Sequence, residues 1–287
     1  MEYEGVASSS RGKQRRNPCL LVGIITFLAF AIILAVVLVC TLKKEHGLRE
    51  TVLSRCQGYM DANPSASSGN DCERIWSMFE QAYVGKDPCD VPPEAYDPLI
   101  KSVQQKVPCN ENIFWSKTND MVHALTKNRD CLMTLEDTLL GFMFNKLTWC
   151  SKNGSKETFT TGCPGWMECI NPVHSFWTRA SANFAATACG NVYVMLNGSI
   201  NSPFNPESTF ASVEVQNFNP ATLDGLTVLL VTKDTDVMTC SNKSLMDLQM
   251  LLSSGPLQAV TYTCRVIPQA KVKKCIDDLE IPCSDCW

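Results

Sequence analysis

Four short segments carry the residues with which this chain could do chemistry: "STFASVEV" with Glu214, "TLEDT" with Glu136 and Asp137, "NIFWSK" with Trp115, and "SFWTRAS" with Trp177. Carboxylates can stabilise developing positive charge or attack it, and tryptophan faces can stack flat rings. Each segment also has a plainer explanation. Alternation in "STFASVEVQNF" predicts a β-strand, with Val213 and Val215 on one face and Ser212, Glu214 and Gln216 on a wetted one. The tryptophans fit a hydrophobic core equally well, and "LED" suits a solvated first helical turn, where the helix dipole favours acidic side chains. The usual enzyme signatures (G-x-G-x-x-G, G-x-x-x-x-G-K-[ST], H-E-x-x-H, G-x-S-x-G) are missing from the chain.

These residues need elements to position them. "CERIWSMFEQAYV" places Ile75, Trp76, Phe79 and Tyr83 at helical spacing, and "PPEAYDPLIKSVQQKV" opens on proline as helices often do. "TLEDTLLGFMFNKLTWC" starts with Thr134 as an N-cap and Asp137 three residues on, a weak capping box. "HSFWTRASANFAATACG" reads as a helix ending at Gly190. After Gly190 come short β-branched or apolar runs, "VYVMLNG", "ASVEVQNF", "LTVLLVT" and "VTYTCRV". Nearly continuous apolar runs imply strands covered on both faces. The expected fold is α/β and disulfide-rich, in two lobes. A helix-rich lobe spans about residues 45–108 and 134–189; a lobe with a small, about four-stranded parallel sheet flanked by helices spans about 109–133 and 190–287. The cleft between them is the expected ligand site.

The N-terminal part is of another kind. Between Asn17 and Leu42 there is no charged residue, and the run is long enough as a helix to cross about 30 Å of hydrocarbon. It continues directly into Lys43 and Lys44, which suits a retained signal anchor better than a cleaved peptide. Arg11, Lys13, Arg15 and Arg16 precede it, so the short tail is expected inside. Of 16 cysteines, 14 lie beyond Cys40, an even number suited to disulfides in an oxidising compartment. "DANPSASSGN" reads as a loop tied by Cys56 and Cys72. Three glycosylation sequons, at Asn153, Asn197 and Asn242, fall in the same outer part. The C-terminus has no hydrophobic tail of the sort that a lipid anchor replaces.

The reading is a single-pass type II plasma-membrane glycoprotein: residues 1–18 a cytoplasmic tail, 19–42 the transmembrane anchor, 43–287 extracellular. Residues 19–287 carry 21 basic and 27 acidic residues, a formal charge of about −6, with no Lys/Arg stripe for nucleic acid. No metal site is expected either. The only Cys-x-x-Cys, Cys283 to Cys286, has no second pair, and His46, His123 and His174 are scattered.

Taken together, "CNENIFWSK", "TLEDTLLG", "LTWC", "NPVHSFWT", "VMLNGS" and "STFASVEV", in this order within this cysteine framework, resemble the ADP-ribosyl cyclase / cyclic ADP-ribose hydrolase family over nearly all of residues 50–283. The type II anchor makes the chain most similar to the transmembrane vertebrate surface-antigen member. The resemblance implies an ectoenzyme that cleaves the nicotinamide–ribose bond of NAD, giving mainly ADP-ribose with some cyclic ADP-ribose, and that hydrolyses cyclic ADP-ribose. NAD, and by extension NADP, is then a substrate, with no cofactor; the plasma membrane is the anchoring partner, and a homodimer is compatible with the family.

Nicotinamide leaves a pyridinium cation as a neutral molecule, so no general acid has to protonate it, in contrast to an ordinary glycosidase. The resemblance implies that Glu214 stabilises the ribosyl oxocarbenium ion or forms a covalent intermediate, and that Glu136 governs cyclisation against hydrolysis. It further implies that Trp177 and Trp115 stack the flat rings, and that Ser116, Lys117, Asp137, Ser181, Thr209 and Phe210, the last through its backbone, bind substrate. Lys117 stands where relatives often carry Arg, which keeps the charge without the bidentate fork. Asn145 stands where a close relative has Asp, which removes an acid from any exchange of nicotinamide for nicotinic acid. Family position implies the pairs Cys56 with Cys72, Cys89 with Cys169, Cys109 with Cys189, Cys150 with Cys163, Cys240 with Cys264, and Cys275 with a C-terminal partner. Cys131 and one of Cys283 or Cys286 are left to form an additional pair. The alternative, a decayed receptor or adhesion glycoprotein on the same fold, has no chemical need for Glu214, Glu136 and both tryptophans together.

Overall fold

The structure is a computed structural model that describes residues 47–64, 69–103, 105–233 and 238–287. The expected tail and anchor lie outside the described residues. Leu48–Trp287 forms one compact unit.

Helices lead. Helix α1 (Leu48–Ala62) and α2 (Cys72–Tyr83) are followed by a 3₁₀ turn (Pro93–Tyr96) that runs into α3 (Asp97–Ser102). Asp71 caps α2 by accepting from the Glu73 and Arg74 amides, and Ile75, Trp76, Phe79 and Tyr83 are buried at the expected spacing. Strand β1 (Ile113–Ser116) and α4 (Asn119–Asn128) come next, then a 3₁₀ turn (Leu135–Asp137), α5 (Leu139–Phe144), a small hairpin of β2 (Cys150–Ser151) and β3 (Thr158–Phe159), and α6 (Pro172–Ala186). The last part holds β4 (Gly190–Asn197), a π-helical turn (Phe210–Glu214) continued by α7 (Val215–Asn217), β5 (Leu223–Thr232), α8 (Lys243–Ser253), β6 (Thr261–Pro268), α9 (Gln269–Asp277) and a 3₁₀ turn (Cys283–Asp285).

The main sheet is four-stranded and parallel, in the order β1-β4-β5-β6. Alternate residues face two cores. Phe114, Val194, Leu196, Val228 and Leu230 join the larger core beneath α6 and the N-terminal helices. Ile113, Met195, Leu229, Val231 and Ile267 face a smaller one closed by Val122 and Leu125 of α4 and Val272 of α9. That two-sided burial is why β4 and β5 read as nearly unbroken apolar runs.

Three expectations fail. "ASVEVQNF" is no strand; the fourth strand is "IFWS", at the sheet edge. The β-propensity of Val213 and Val215 is worth at most about 1 kcal/mol across the scale. Burying Phe210, Val215 and Phe218 is worth roughly 2–3 kcal/mol each, and helical geometry buries all three. Ser208 starts the turn, its Oγ accepting from the Ala211 amide and its carbonyl from the Ser212 amide. The "TLEDT…" stretch is also broken: Thr138, extended at ψ 159°, ends the first turn and caps α5 through its hydroxyl. Finally, the "HSFWT…" helix stops at Ala186 rather than Gly190. Gly190 instead opens β4 at φ +72°, where an added Cβ would lie 2.4 Å from Asn110 Oδ1.

Seven disulfides close the unit: Cys56–Cys72, Cys89–Cys169, Cys109–Cys189, Cys150–Cys163, Cys240–Cys264, Cys131–Cys283 and Cys275–Cys286. The additional pair thus takes Cys283, and Cys275 takes Cys286.

Candidate active site

A cavity of about 570 Å³ opens where the end of β1, the "LED" turn, one face of α6 and the π-helical turn converge. Its size suits a small-molecule ligand.

Strand β1 delivers Trp115 and Ser116, paired in register with Met195 and Leu196 of β4. The chain leaves the sheet through Lys117 at φ +60°, a left-handed conformation uncommon outside glycine. Asn197 Nδ2 donates to the Lys117 carbonyl, and Thr118 Oγ1 donates to the Met195 carbonyl. These bonds fix the corner between β1 and α4. Lys146, across the cavity, has the same φ of +60°.

The "LED" turn is a rigid mount. Asp137 Oδ2 accepts from the Thr134 amide at 2.8 Å and from its hydroxyl at 2.7 Å. Asp137 is therefore occupied by the cap and does not line the cavity, whereas Glu136 does. Trp115 Nε1 donates to Glu136 Oε2 at 3.4 Å, so one wall tryptophan and one carboxylate are held together.

Helix α6 begins at Asn171, whose Oδ1 accepts from the His174 amide, with Pro172 at the first position. Trp177, Ser181 and Phe184 follow one face of it into the cavity. The adjoining faces carry Phe176 and Ala180 into the larger core, and Arg179 to an ion pair with Asp97 of α3. Trp177 rests on that larger core, and Trp115 on the smaller one.

Glu214 ends the π-helical turn, whose wide ring is closed by the Val215 amide bonding to the Phe210 carbonyl. Single π turns of this sort are frequent at functional sites. Glu214 is only 8% exposed. Burial pushes its carboxyl up to about 8; the neighbouring Ser181 side chain opposes that rise, and the negative charge of Glu136 adds to it. The wetted side chain expected from alternation is thus a nearly dry one at the cavity wall.

Of the other expected site residues, Ser116, Lys117, Ser181 and Thr209 line the cavity. The Phe210 ring lies fully buried behind it, 6.1 Å from the Phe114 ring. Asn145 also lines it. Reasoning from sequence missed several lining residues, among them Asn119, Lys146, Glu207, Trp166 and Met167. A tryptophan and a methionine exposed in a disulfide-bounded loop were the available signal for the last two. Of the sequon asparagines, Asn153 is exposed in a turn, Asn197 is half-buried at the end of β4, and Asn242 caps α8. Among the described residues, no three His, Cys, Asp or Glu side chains gather as a metal site.

Comparison with known proteins bears on this geometry. The sequence model described as ADP-ribosyl cyclase matches residues 45–284. The rat protein named ADP-ribosyl cyclase/cyclic ADP-ribose hydrolase 1 is 38% identical over 208 residues, 71% of this chain and 69% of its own. The Aplysia californica ADP-ribosyl cyclase/cyclic ADP-ribose hydrolase is 33% identical over 72% of this chain and 76% of its own. Porcine CD38, solved with a covalent intermediate, superposes with a TM-score of 0.73 at 37% identity, covering 77% of this chain and 96% of that one. Aplysia cyclase, solved with substrate NGD and product cGDPR, gives 0.70 at 28% identity, with coverages of 82% and 94%.

Proposed function

The chain belongs to the ADP-ribosyl cyclase family, and from that premise we propose that the cavity cleaves the nicotinamide–ribose bond of NAD, releasing ADP-ribose and cyclic ADP-ribose, and opens cyclic ADP-ribose with water. It is an enzyme that takes the dinucleotide as substrate and needs no cofactor. The observation that carries the reading is Glu214: a buried carboxyl beside Ser181, facing a cavity walled by Trp115 and Trp177.

The chemistry follows from those positions. The C1′–N bond breaks and its electron pair stays on the nicotinamide nitrogen, so the leaving group departs neutral. Positive charge then develops on the ribosyl carbon, where ionised Glu214 stabilises it or bonds to it. Water attacking C1′ loses a proton and gives ADP-ribose; the substrate's own adenine attacking gives the cyclic product. Adenine competes only when held close, since effective molarity can reach roughly 10⁵ M or more. Such an open cavity favours water, and Glu136, across from Glu214, sets the balance.

The cationic nicotinamide ring itself favours the ionised form of Glu214, which counters the burial that raises its pKa in the free protein. Ser116, Thr209 and Lys117 serve the phosphates. Residues 19–42 anchor the protein in the plasma membrane, with the catalytic part outside; protection of residues 43–287 from protease added to intact cells would contradict that orientation.

The deciding experiment incubates the full-length protein with NAD and measures nicotinamide. Glu214→Gln is expected to slow release on the order of 10²–10³-fold. Equal rates would sink the assignment.

A further inference from the structure

Glu136 is approached by two groups, one in the cavity wall and one behind it. Trp115 Nε1 reaches Oε2 at 3.4 Å, a long bond. His123 Nε2 lies 3.9 Å from the other oxygen, Oε1, just beyond hydrogen-bond reach. That nitrogen is buried and has no hydrogen-bond partner among the described residues. Unpaired buried polar groups are rare because leaving one unmade is costly, so each needs an explanation. Here a carboxylate oxygen that closes the gap with about 1 Å of side-chain movement supplies one.

The histidine stands on α4, one turn beyond the cavity-lining Asn119. Its ring meets the Trp115 ring edge-on, with centroids 5.5 Å apart and planes at 76°. It does not itself line the cavity, so its reach to the substrate is through Trp115 and Glu136.

We propose that His123 is a positioning residue for the choice of product: its Nε2 holds the rear oxygen of Glu136, fixing where that carboxylate stands relative to the reacting ribose, while its ring edge sets the plane of Trp115. This rests on the role given above to Glu136. Without the nitrogen, Glu136 swings on the Trp115 bond alone and loses the placement that favours water. The effect is a weaker version of removing Glu136 altogether.

The test uses the full-length protein with NAD and reads two quantities: total nicotinamide release, and the ratio of cyclic to linear ADP-ribose. His123→Phe keeps a ring against Trp115 but removes the nitrogen; His123→Gln keeps a donor at similar reach. We expect His123→Phe to raise the cyclic fraction roughly two- to tenfold, in the same direction as Glu136→Ala, with nicotinamide release within about twofold. His123→Gln restores the wild-type ratio, and His123→Phe adds nothing in a Glu136→Ala background.

An unchanged ratio in His123→Phe overturns the proposal, as does additivity in the double variant or a His123→Gln protein as altered as His123→Phe. A ratio moved by His123→Phe but not by Glu136→Ala also overturns it, since the histidine would then act by another route. Should His123→Phe fail to fold, His123→Asn, too short to reach, replaces it in the same comparison. Failure of the underlying NAD chemistry is distinguishable, because it shows in nicotinamide release from Glu214→Gln and not in the product ratio.

Discussion

Glu214 sets stability against its proposed role in one side chain. Its carboxyl is pushed up to about 8 by burial, against about 4.3 in an unfolded chain. Below about pH 4 both states hold the proton and the group is neutral to stability. Above that, the unfolded chain ionises while the folded one does not, so stability is lost progressively as pH rises through about 8. Glutamine copies the protonated form and escapes this loss. The melting temperature of Glu214→Gln should therefore exceed that of the wild type by a margin that grows from pH 5 to pH 8 and then levels; a constant margin would contradict it. The same burial predicts that binding an unreactive dinucleotide analogue with a cationic nicotinamide ring at pH 7 in weak buffer releases a proton from the wild type and none from Glu214→Gln. At Glu136, replacement by alanine should raise the cyclic fraction without abolishing nicotinamide release, as product chromatography would show. Its partner in sequence, Asp137, shows how spacing can mislead: the two stand side by side, yet the cap takes one and the cavity the other.

Among the elements, the "LED" turn depends on a glycine in the next helix. A Cβ on Gly141 would stand 1.9 Å from the Leu135 carbonyl oxygen and 2.6 Å from the Glu136 Cα. Backbone cannot yield as a flexible side chain can, so Gly141→Ala should destabilise the protein by roughly 1–3 kcal/mol. It should also displace Glu136 and so change the product ratio, measured by chemical denaturation and product analysis on one preparation. The π-helical turn teaches a related lesson about legibility. The eleven residues 208–218 around it contain both an alternating pattern and a helical one, since Phe210, Ala211, Glu214, Val215 and Phe218 are all buried. Only the apolar site offered by Phe114 and its neighbours decides between them. The capped helix at "CERIWSMFEQAYV" and the apolar strands needed no such arbitration, because cap, period and propensity agree there.

For the molecule as a whole, the layer under Trp115 and His123 is closed from behind by the C-terminal segment. Arg129 is buried and donates to the carbonyls of Cys275, Asp278 and Ile281, and Cys131–Cys283 ties the same loop across 152 residues of sequence. Replacing both cysteines by serine should lower stability by roughly 3–5 kcal/mol in the chain-entropy account. Because that layer carries Trp115, the Km for NAD should rise along with the loss of melting temperature; an unchanged Km would show the two to be independent. From the residues alone came the parallel α/β class, the helical lead-in, the even number of cysteines beyond Cys40 and, through resemblance, Glu214, Glu136 and the two tryptophans. These are legible because period, capping and side-chain chemistry act over a few residues at a time. Tertiary structure alone decided that Glu214 is dry, that Asp137 turns away, that Cys131 takes Cys283 and that His123 faces Glu136. Each of these depends on distances between segments far apart in the chain, which burial and the packing of two cores set and local sequence does not.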